Sequence, residues 1–394
     1  MTSQAISYYI WPGQVQFGFD AAGLVGQEAR ARQASHVFII ADPGVVAAGL
    51  TEPVIASLKV AGLSYNLYDR VIPNPDTESV DTAVAAFRES KADCIVGIGG
   101  GSSLDTAKAV RLAAGGGGRI AEYALLLGDK TRPPGGHMAP MIAIPTTAGT
   151  GSEVTPWAVI TDNSRKLKMG VGGAFLVPTV ALIDPELMLT LPPMLTAATG
   201  MDALSHCIEA YVSTNDNPAL DPMILHGIEL IGRSLRVAVV QGQTTQSREA
   251  RRDMALAAMI GGIAISSKWL GACHSLAHQL SGFANVQHGL ANALMLPQQM
   301  AYSLTGALER YARVAEALGV PPEGSLRQRA ERAIEAVREL TVDVGLPTRL
   351  RDVGVTEEMI PGMAYNAYNI DLNWWTNPRT VNEAVMEQLY RAAF

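Results

Sequence analysis

The first half of the chain alternates short, almost unbroken apolar runs with stretches of helical period. Residues 36–41 (HVFIIA), 94–98 (CIVGI), 141–144 (MIAI) and 180–183 (VALI) each read as a buried strand. Between the first two, apolar positions recur every three or four residues over 50–61 and 79–90, which predicts helices. Strands that are apolar on both faces and separated by helices predict a parallel sheet covered on both sides. Residues 115–118 and 132–136 are rich in glycine or proline and read as loops. After Leu191-Pro192-Pro193 the strand signals stop, and helical period dominates residues 249–266, 304–318 and 325–344. The pattern therefore predicts an α/β domain with a Rossmann-like parallel sheet over 1–190, then an all-helical domain over 191–394. At 394 residues, two cores are the natural expectation.

Composition narrows the class. With 48% apolar and 17% charged residues the chain packs as a globular protein. A net charge of −7 without a basic run argues against nucleic acid as a partner. The three cysteines, Cys94, Cys207 and Cys273, form no CxxC pair and read as small buried residues in a reducing compartment. The start, MTSQAISYY, lacks the basic-then-apolar pattern of a signal peptide. The longest uncharged apolar run, 254–267, is too short to span a bilayer and reads as a core helix. A cytoplasmic chain without a membrane partner is the expectation.

Two stretches carry chemistry. The strand 94–98 runs into Gly99-Gly100-Gly101-Ser102-Ser103, and a helix follows from Leu104. Glycines let a phosphate approach the backbone, and the helix N-terminus favours an anion. Alone, the stretch serves equally as a tight turn without a ligand. Asp42 ends the first strand, where its carboxylate suits a ribose diol or, equally, a helix cap. Thr146-Thr147-Ala148-Gly149-Thr150 ends another strand and is dense in hydroxyls. Parallel sheets bind ligands at the carboxyl ends of their strands, so these turns are expected to line one crevice.

In the second half, Asp202 and His206 stand one helical turn apart, His274 and His278 repeat that spacing, and His288 follows. Asp/His ligation suits Zn²⁺ or Fe²⁺ and leaves room for a substrate oxygen. His36, His137 and His226 have no such company and read as structural. A nucleotide site with an N/O metal site suggests hydride exchange between a nicotinamide and a carbon whose oxygen the metal polarises. No GxSxG or reactive-cysteine context is present.

These stretches resemble the iron-containing (group III) alcohol dehydrogenases from about residue 8 to the C-terminus. The likeness is carried by PNP (73–75), GGGSSLDTAKA (99–109), PTTAGTGSEVT (145–155), ATGMDALSHCIEAY (198–211), CHSLAHQLSG (273–282), HGLANALMLP (288–297) and NPR (377–379). The resemblance implies a dehydroquinate synthase-like architecture with a cleft between a nucleotide domain and a metal domain. It implies metal ligands at Asp202, His206, His274 and His288. It also implies cofactor contacts at Asp42, Asn74, Gly99, Gly100, Gly101, Ser102, Asp105, Thr146, Thr147 and Lys168. His278 matches the position near the nicotinamide that relays a proton. A carboxylate at Asp42 implies NAD over NADP. Fe²⁺ is the family's metal, with Zn²⁺ as the alternative, and a homodimer or larger homo-oligomer is expected.

Departures bear on the substrate. Asn373-Trp374-Trp375-Thr376 stands where many relatives carry a cysteine, and Lys268-Trp269 replace small residues ahead of His274. With Trp157, these suggest an aromatic-walled pocket holding a cation, suited to a substrate with an anionic group; tryptophans packing between domains account for the pattern equally. A maleylacetate reductase acting on an anionic oxo acid is the alternative, although its branch often lacks the full metal set.

Overall fold

The computed structural model describes residues 7–124, 135–165, 167–240 and 244–394. It divides into two compact units, 10–147 with 151–190, and 191–394 with 148–150 and the described part of 1–9.

The first unit contains strands β1 (Gln14–Phe17), β2 (His36–Ile40), β3 (Ser64–Tyr68), β4 (Cys94–Gly99), β5 (Met141–Pro145), β6 (Trp157–Asp162), β7 (Leu167–Gly172) and β8 (Val180–Ile183). Its helices are α1 (Val25–Ala31), α2 (Pro43–Ala47), α3 (Glu52–Val60), α4 (Thr77–Ser90) and α5 (Gly101–Gly116). Six strands form one sheet in the order β1-β8-β5-β4-β2-β3, and its five neighbouring pairs are all parallel. The four strands expected from apolar runs are the four central ones. Side chains alternate between faces, so Val37, Ile39, Val96, Ile98 and Ile142 bury one side. Phe38, Ile40, Ile95, Met141 and Ala143 bury the other.

Other elements depart from expectation. The edge strands β1 and β3 are partly exposed and lack continuous apolar runs, so periodicity missed them. The β6–β7 antiparallel hairpin was likewise unforeseen. Helix α5 continues through Gly115 and Gly116, and Gly117 closes it with an N–H bond to the Ala113 carbonyl; only Gly117 and Gly118 turn. Residues 132–134 of the second expected loop, and 1–6 of the N-terminal segment, lie outside the described residues.

The second unit is helical: α6 (Pro193–Val212), α7 (Asp221–Val239), α8 (Thr245–Lys268), α9 (Ala272–Ala284), α10 (His288–Ser303), α11 (Leu308–Ala317), α12 (Leu326–Asp343), α13 (Ile360–Asn369) and α14 (Glu383–Ala393). The expected helix over 304–318 is a short 3₁₀ turn at Leu304–Gly306 followed by α11. Helix α6 is buried on every side from Thr196 to Val212, including Asp202, His206 and Glu209. The apolar run 254–267 lies in α8 and is largely buried. Among the described residues, no single helix is long and apolar enough to cross a membrane; α8 and α9 pass that test only as a pair bent by 109°. All three cysteines are buried and free.

One cap ties a candidate cofactor loop to the sheet unit. Asp76 caps α4 through the Ser79 N–H at 2.8 Å, in a reciprocal capping box, and its other oxygen accepts from Asn163 Nδ2 at 2.8 Å. The Pro73-Asn74-Pro75 turn enters directly before it. Losing such a cap costs about 1 kcal/mol. Asp76→Ala should lower unfolding free energy by that amount in urea titration.

Candidate metal centre and nucleotide turn

In the sheet unit, the polar turns gather at the carboxyl ends of β2, β4 and β5. Gly99 ends β4 with φ +145°, and a Cβ there would sit 2.5 Å from Ser103 Oγ and 3.1 Å from Asp42 Oδ2. Only glycine allows that approach. Gly100 caps α5 without a side-chain bond, so the helix N-terminus presents its backbone donors. Thr146 N–H donates to the Gly99 carbonyl at 3.0 Å, and Thr147 lies against Gly100. Asp42 does two things at once. Its Oδ1 caps α2 through the Val45 N–H at 3.0 Å, and its Oδ2 accepts from Ser103 Oγ at 3.1 Å. Ser103, which sequence reasoning did not single out, is thus the serine of this turn that reaches Asp42.

The remaining cofactor candidates lie differently. Asn74, with φ +51°, accepts from Lys168 Nζ at 3.2 Å, so these two meet each other. Asp105 is turned into the protein: it accepts from Ser152 Oγ at 2.6 Å and from the Val159 N–H at 2.9 Å, and Lys108 Nζ stands 4.0 Å away. Lys108 is wholly buried and also donates to Ser152, Thr155 and the Trp157 carbonyl. Burial pushes its ammonium down to about 8. These contacts pin the loop bearing GTGSEVT to α5.

In the helical unit, α6 presents Asp202, His206 one turn on and Glu209 a further turn on. Asp202, His206 and His274 offer ligand atoms all within 4.8 Å of one another, and all three are buried. Asp202 Oδ1 stands 3.8 Å from His206 Nε2, 3.9 Å from His274 Nε2 and 3.6 Å from His288 Nε2. These separations are too long for hydrogen bonds. They approach the spacing of about 3.4 Å expected for atoms sharing a tetrahedral ion at Zn–N and Zn–O lengths. The rings of His206 and His274 stack at 4.8 Å, and His288 lies 5.4 Å from His274 and 5.1 Å from His278. His206, His274, His278 and His288 are therefore in one cluster, while His226 stands apart beside Glu229. His288 can reach it because Gly289 lies against α6, where a Cβ would be 2.2 Å from the Ala198 carbonyl oxygen.

The donor chemistry fits a divalent cation. Burial lowers the His206 imidazole to about 4 and that of His274 to about 3, so both present neutral nitrogens. A buried carboxylate facing neutral acceptors calls for a cation. Two carboxylates unnoticed in the sequence stand behind the rings. Glu209 bonds His274 Nδ1, while its other oxygen accepts from the Cys273 N–H at 2.7 Å. Burial pushes its carboxyl up to about 8. One proton is shared across that pair, and a cation held by the ring's other nitrogen would place it on Nδ1. Asp371 Oδ2 pairs with His278 Nδ1 at 2.5 Å. Its Oδ1 accepts from Ser275 Oγ at 3.1 Å, the Asn373 N–H at 3.1 Å and Asn373 Nδ2 at 2.8 Å. Burial opposes its charge, but His278 and the Asn373 donors hold its carboxyl below the usual range. The only sequence signal for either was an acid one helical turn from a candidate ligand or just ahead of the NPR stretch.

The pocket cation is overturned. Lys268 is wholly buried, paired with Asp221 at 3.0 Å and donating to the Asn215 carbonyl at 3.1 Å, while Arg310 takes the other Asp221 oxygen at 2.8 Å. Its charge is committed within the helical unit. Trp374 stacks on Tyr368 at 4.8 Å and donates to its carbonyl. Trp269, at φ +69°, meets Trp375 edge to face at 6.1 Å.

The iron-containing alcohol dehydrogenase family matches residues 12–185, and its C-terminal domain matches 196–394. The chain belongs to the iron-containing alcohol dehydrogenases. It is similar to the NAD-dependent methanol dehydrogenase of Bacillus methanolicus, 39% identical over 98% of this chain and 99% of that one. The 1,3-propanediol dehydrogenase of Klebsiella pneumoniae is 38% identical, covering 98% of each. A crystal structure of 1,3-propanediol oxidoreductase superposes with a TM-score of 0.93 at 37% identity, covering 99% of this chain and 100% of that one. This dehydrogenase is thus an alcohol dehydrogenase of that family, and the maleylacetate reductase alternative is not favoured.

The neutral histidines set a pH dependence. Unfolded imidazoles protonate near pH 6.5, whereas in the fold His206 and His274 stay neutral to about 4 and about 3. The unfolded state therefore binds more protons in that window, and stability is lost as pH falls through it. Chelator-treated enzyme should show a lower urea midpoint at about pH 5.5 than at about pH 7.5. An equal midpoint would contradict the burial of neutral rings.

Proposed function

We propose that this dehydrogenase oxidises small alcohols with NAD⁺ and reduces the matching aldehydes or ketones with NADH. The observation that carries this reading is the convergence of His206, His274 and His288 on one buried oxygen of Asp202. Those four residues would hold a divalent ion, Fe²⁺ by family and Zn²⁺ where supply favours it. Such an ion supplies Lewis-acid polarisation of the substrate oxygen.

The chain's own groups do the rest. Gly99, Gly100, Gly101 and Ser102 at the α5 N-terminus would take the pyrophosphate. Thr146, Thr147, Asn74 and Lys168 supply donors for the nucleotide, and Asp105 braces their loop from inside. Asp371 fixes the Nδ1 proton of His278, which leaves Nε2 to accept the hydroxyl proton as the carbon gives up hydride. In reduction the same nitrogen returns it. A homodimer fits the family reading and is testable by light scattering.

Two experiments decide. Enzyme loaded with Fe²⁺ anaerobically, or with Zn²⁺, should interconvert NAD⁺ and NADH with a panel of short alcohols, diols and aldehydes. His274→Ala should cut turnover by at least about 100-fold while NAD binding, followed by fluorescence, persists; retained turnover would refute the assignment. Separately, the Asp42 carboxylate would repel a 2′-phosphate, so Asp42→Ala should relax the preference for NAD over NADP by about tenfold or more in kcat/KM. An unchanged ratio would remove Asp42 from cofactor selection.

A further inference from the structure

Asn292 lies on α10, one turn beyond His288, and is wholly buried. Its Nδ2 donates to Asp202 Oδ1 at 2.7 Å and stands 3.1 Å from His274 Nε2 and 3.2 Å from His288 Nε2. One amide thus touches three of the four atoms that would share an ion. On its other side, Cys273 Sγ lies 3.7 Å from Asn292 Oδ1 and 3.6 Å from the Asn292 carbonyl oxygen.

These contacts orient the amide. With nitrogen toward the cage, its two hydrogens serve Asp202 Oδ1 and one neutral imidazole nitrogen at a time. Turned over, its oxygen would face three acceptors and gain no bond. The Cys273 thiol carries one donor, and Oδ1 at 3.7 Å shares it with the Asn292 carbonyl oxygen at 3.6 Å. Both ends agree.

We infer that Asn292 is a positioning residue of the metal cage, oriented by Cys273 and holding Asp202, His274 and His288 at ion-sharing spacing before the ion binds. This rests on the reading of the cage as a metal site. The physical reason is electrostatic. A carboxylate and two imidazole lone pairs pointed at one another repel, and unheld side chains rotate apart. A neutral donor among them keeps the lone pairs convergent and adds no positive charge to compete with a cation. An ion taking the imidazole lone pairs would leave the amide its bond to Asp202, whose oxygen has a second lone pair.

The test is metal affinity, read without turnover. Zn²⁺ binding is measured by competition with a chromophoric chelator for wild type, Asn292→Ala and Cys273→Ala, with circular dichroism and melting of the chelated proteins alongside. Asn292→Ala should raise the Zn²⁺ dissociation constant about 10- to 100-fold, the range seen when groups behind metal ligands are removed. Cys273→Ala, which frees the amide but leaves it in place, should weaken binding in the same direction by a smaller factor. The metal-free proteins should keep wild-type secondary structure. If Asn292→Ala does not fold, Cys273→Ala decides: affinity equal to wild type overturns the inference. Wild-type binding with both variants unchanged overturns it while leaving the metal reading intact. Wild type that binds no Zn²⁺ overturns both.

Discussion

A single buried oxygen organises the helical unit. Asp202 sits on a helix with no exposed face, and its Oδ1 is approached by three imidazole nitrogens and one amide. A carboxylate stripped of water and ringed by lone pairs is costly unless positive charge completes it. The surrounding architecture meets that demand. Helix α6 is buried on every side over Thr196–Val212 and so carries the acid into the core. Gly289 lets α10 approach closely enough to add His288 and Asn292. Glu209 fixes the ring of His274 from behind, and burial keeps the rings neutral.

The sheet unit solves a different problem with similar economy. Its central strands end in turns where glycine removes side chains and backbone donors face outward. Asp42 is a helix cap, one of the two roles its position suggested, and its second oxygen is held by Ser103. Asp105 and Lys108 turn inward and spend their charges on the GTGSEVT loop. A motif residue can thus serve a site by bracing the loop that forms it.

The departures from the relatives' pattern are also informative. Lys268 sits beside Trp269 and ahead of His274, a placement that invites a role in binding an anionic substrate. Its ammonium is instead committed to Asp221, which Arg310 also holds. Asn373 gives Asp371 two further hydrogen bonds, so it bears on how the carboxylate behind His278 is held.

Local order was legible in the chain itself: four apolar runs named the central strands, three- and four-residue spacing named the long helices, and i,i+4 pairs placed candidate ligands on shared helix faces. Those signals are short-range, because a buried strand or an amphipathic helix must repeat its apolar positions within a few residues. Edge strands β1 and β3 escaped because half-exposed strands carry no such run. Glu209, Asp371 and Asn292 escaped because nothing nearby in the chain marks an acid or amide as the partner of a ring 65, 93 or 18 positions away. Whether Lys268 meets a ligand or a carboxylate, and which way an amide points, are settled by packing among distant helices. Residue types and spacing determined which chemistry was available; tertiary structure decided which groups meet, because charge and hydrogen bonding act through space and not along the chain.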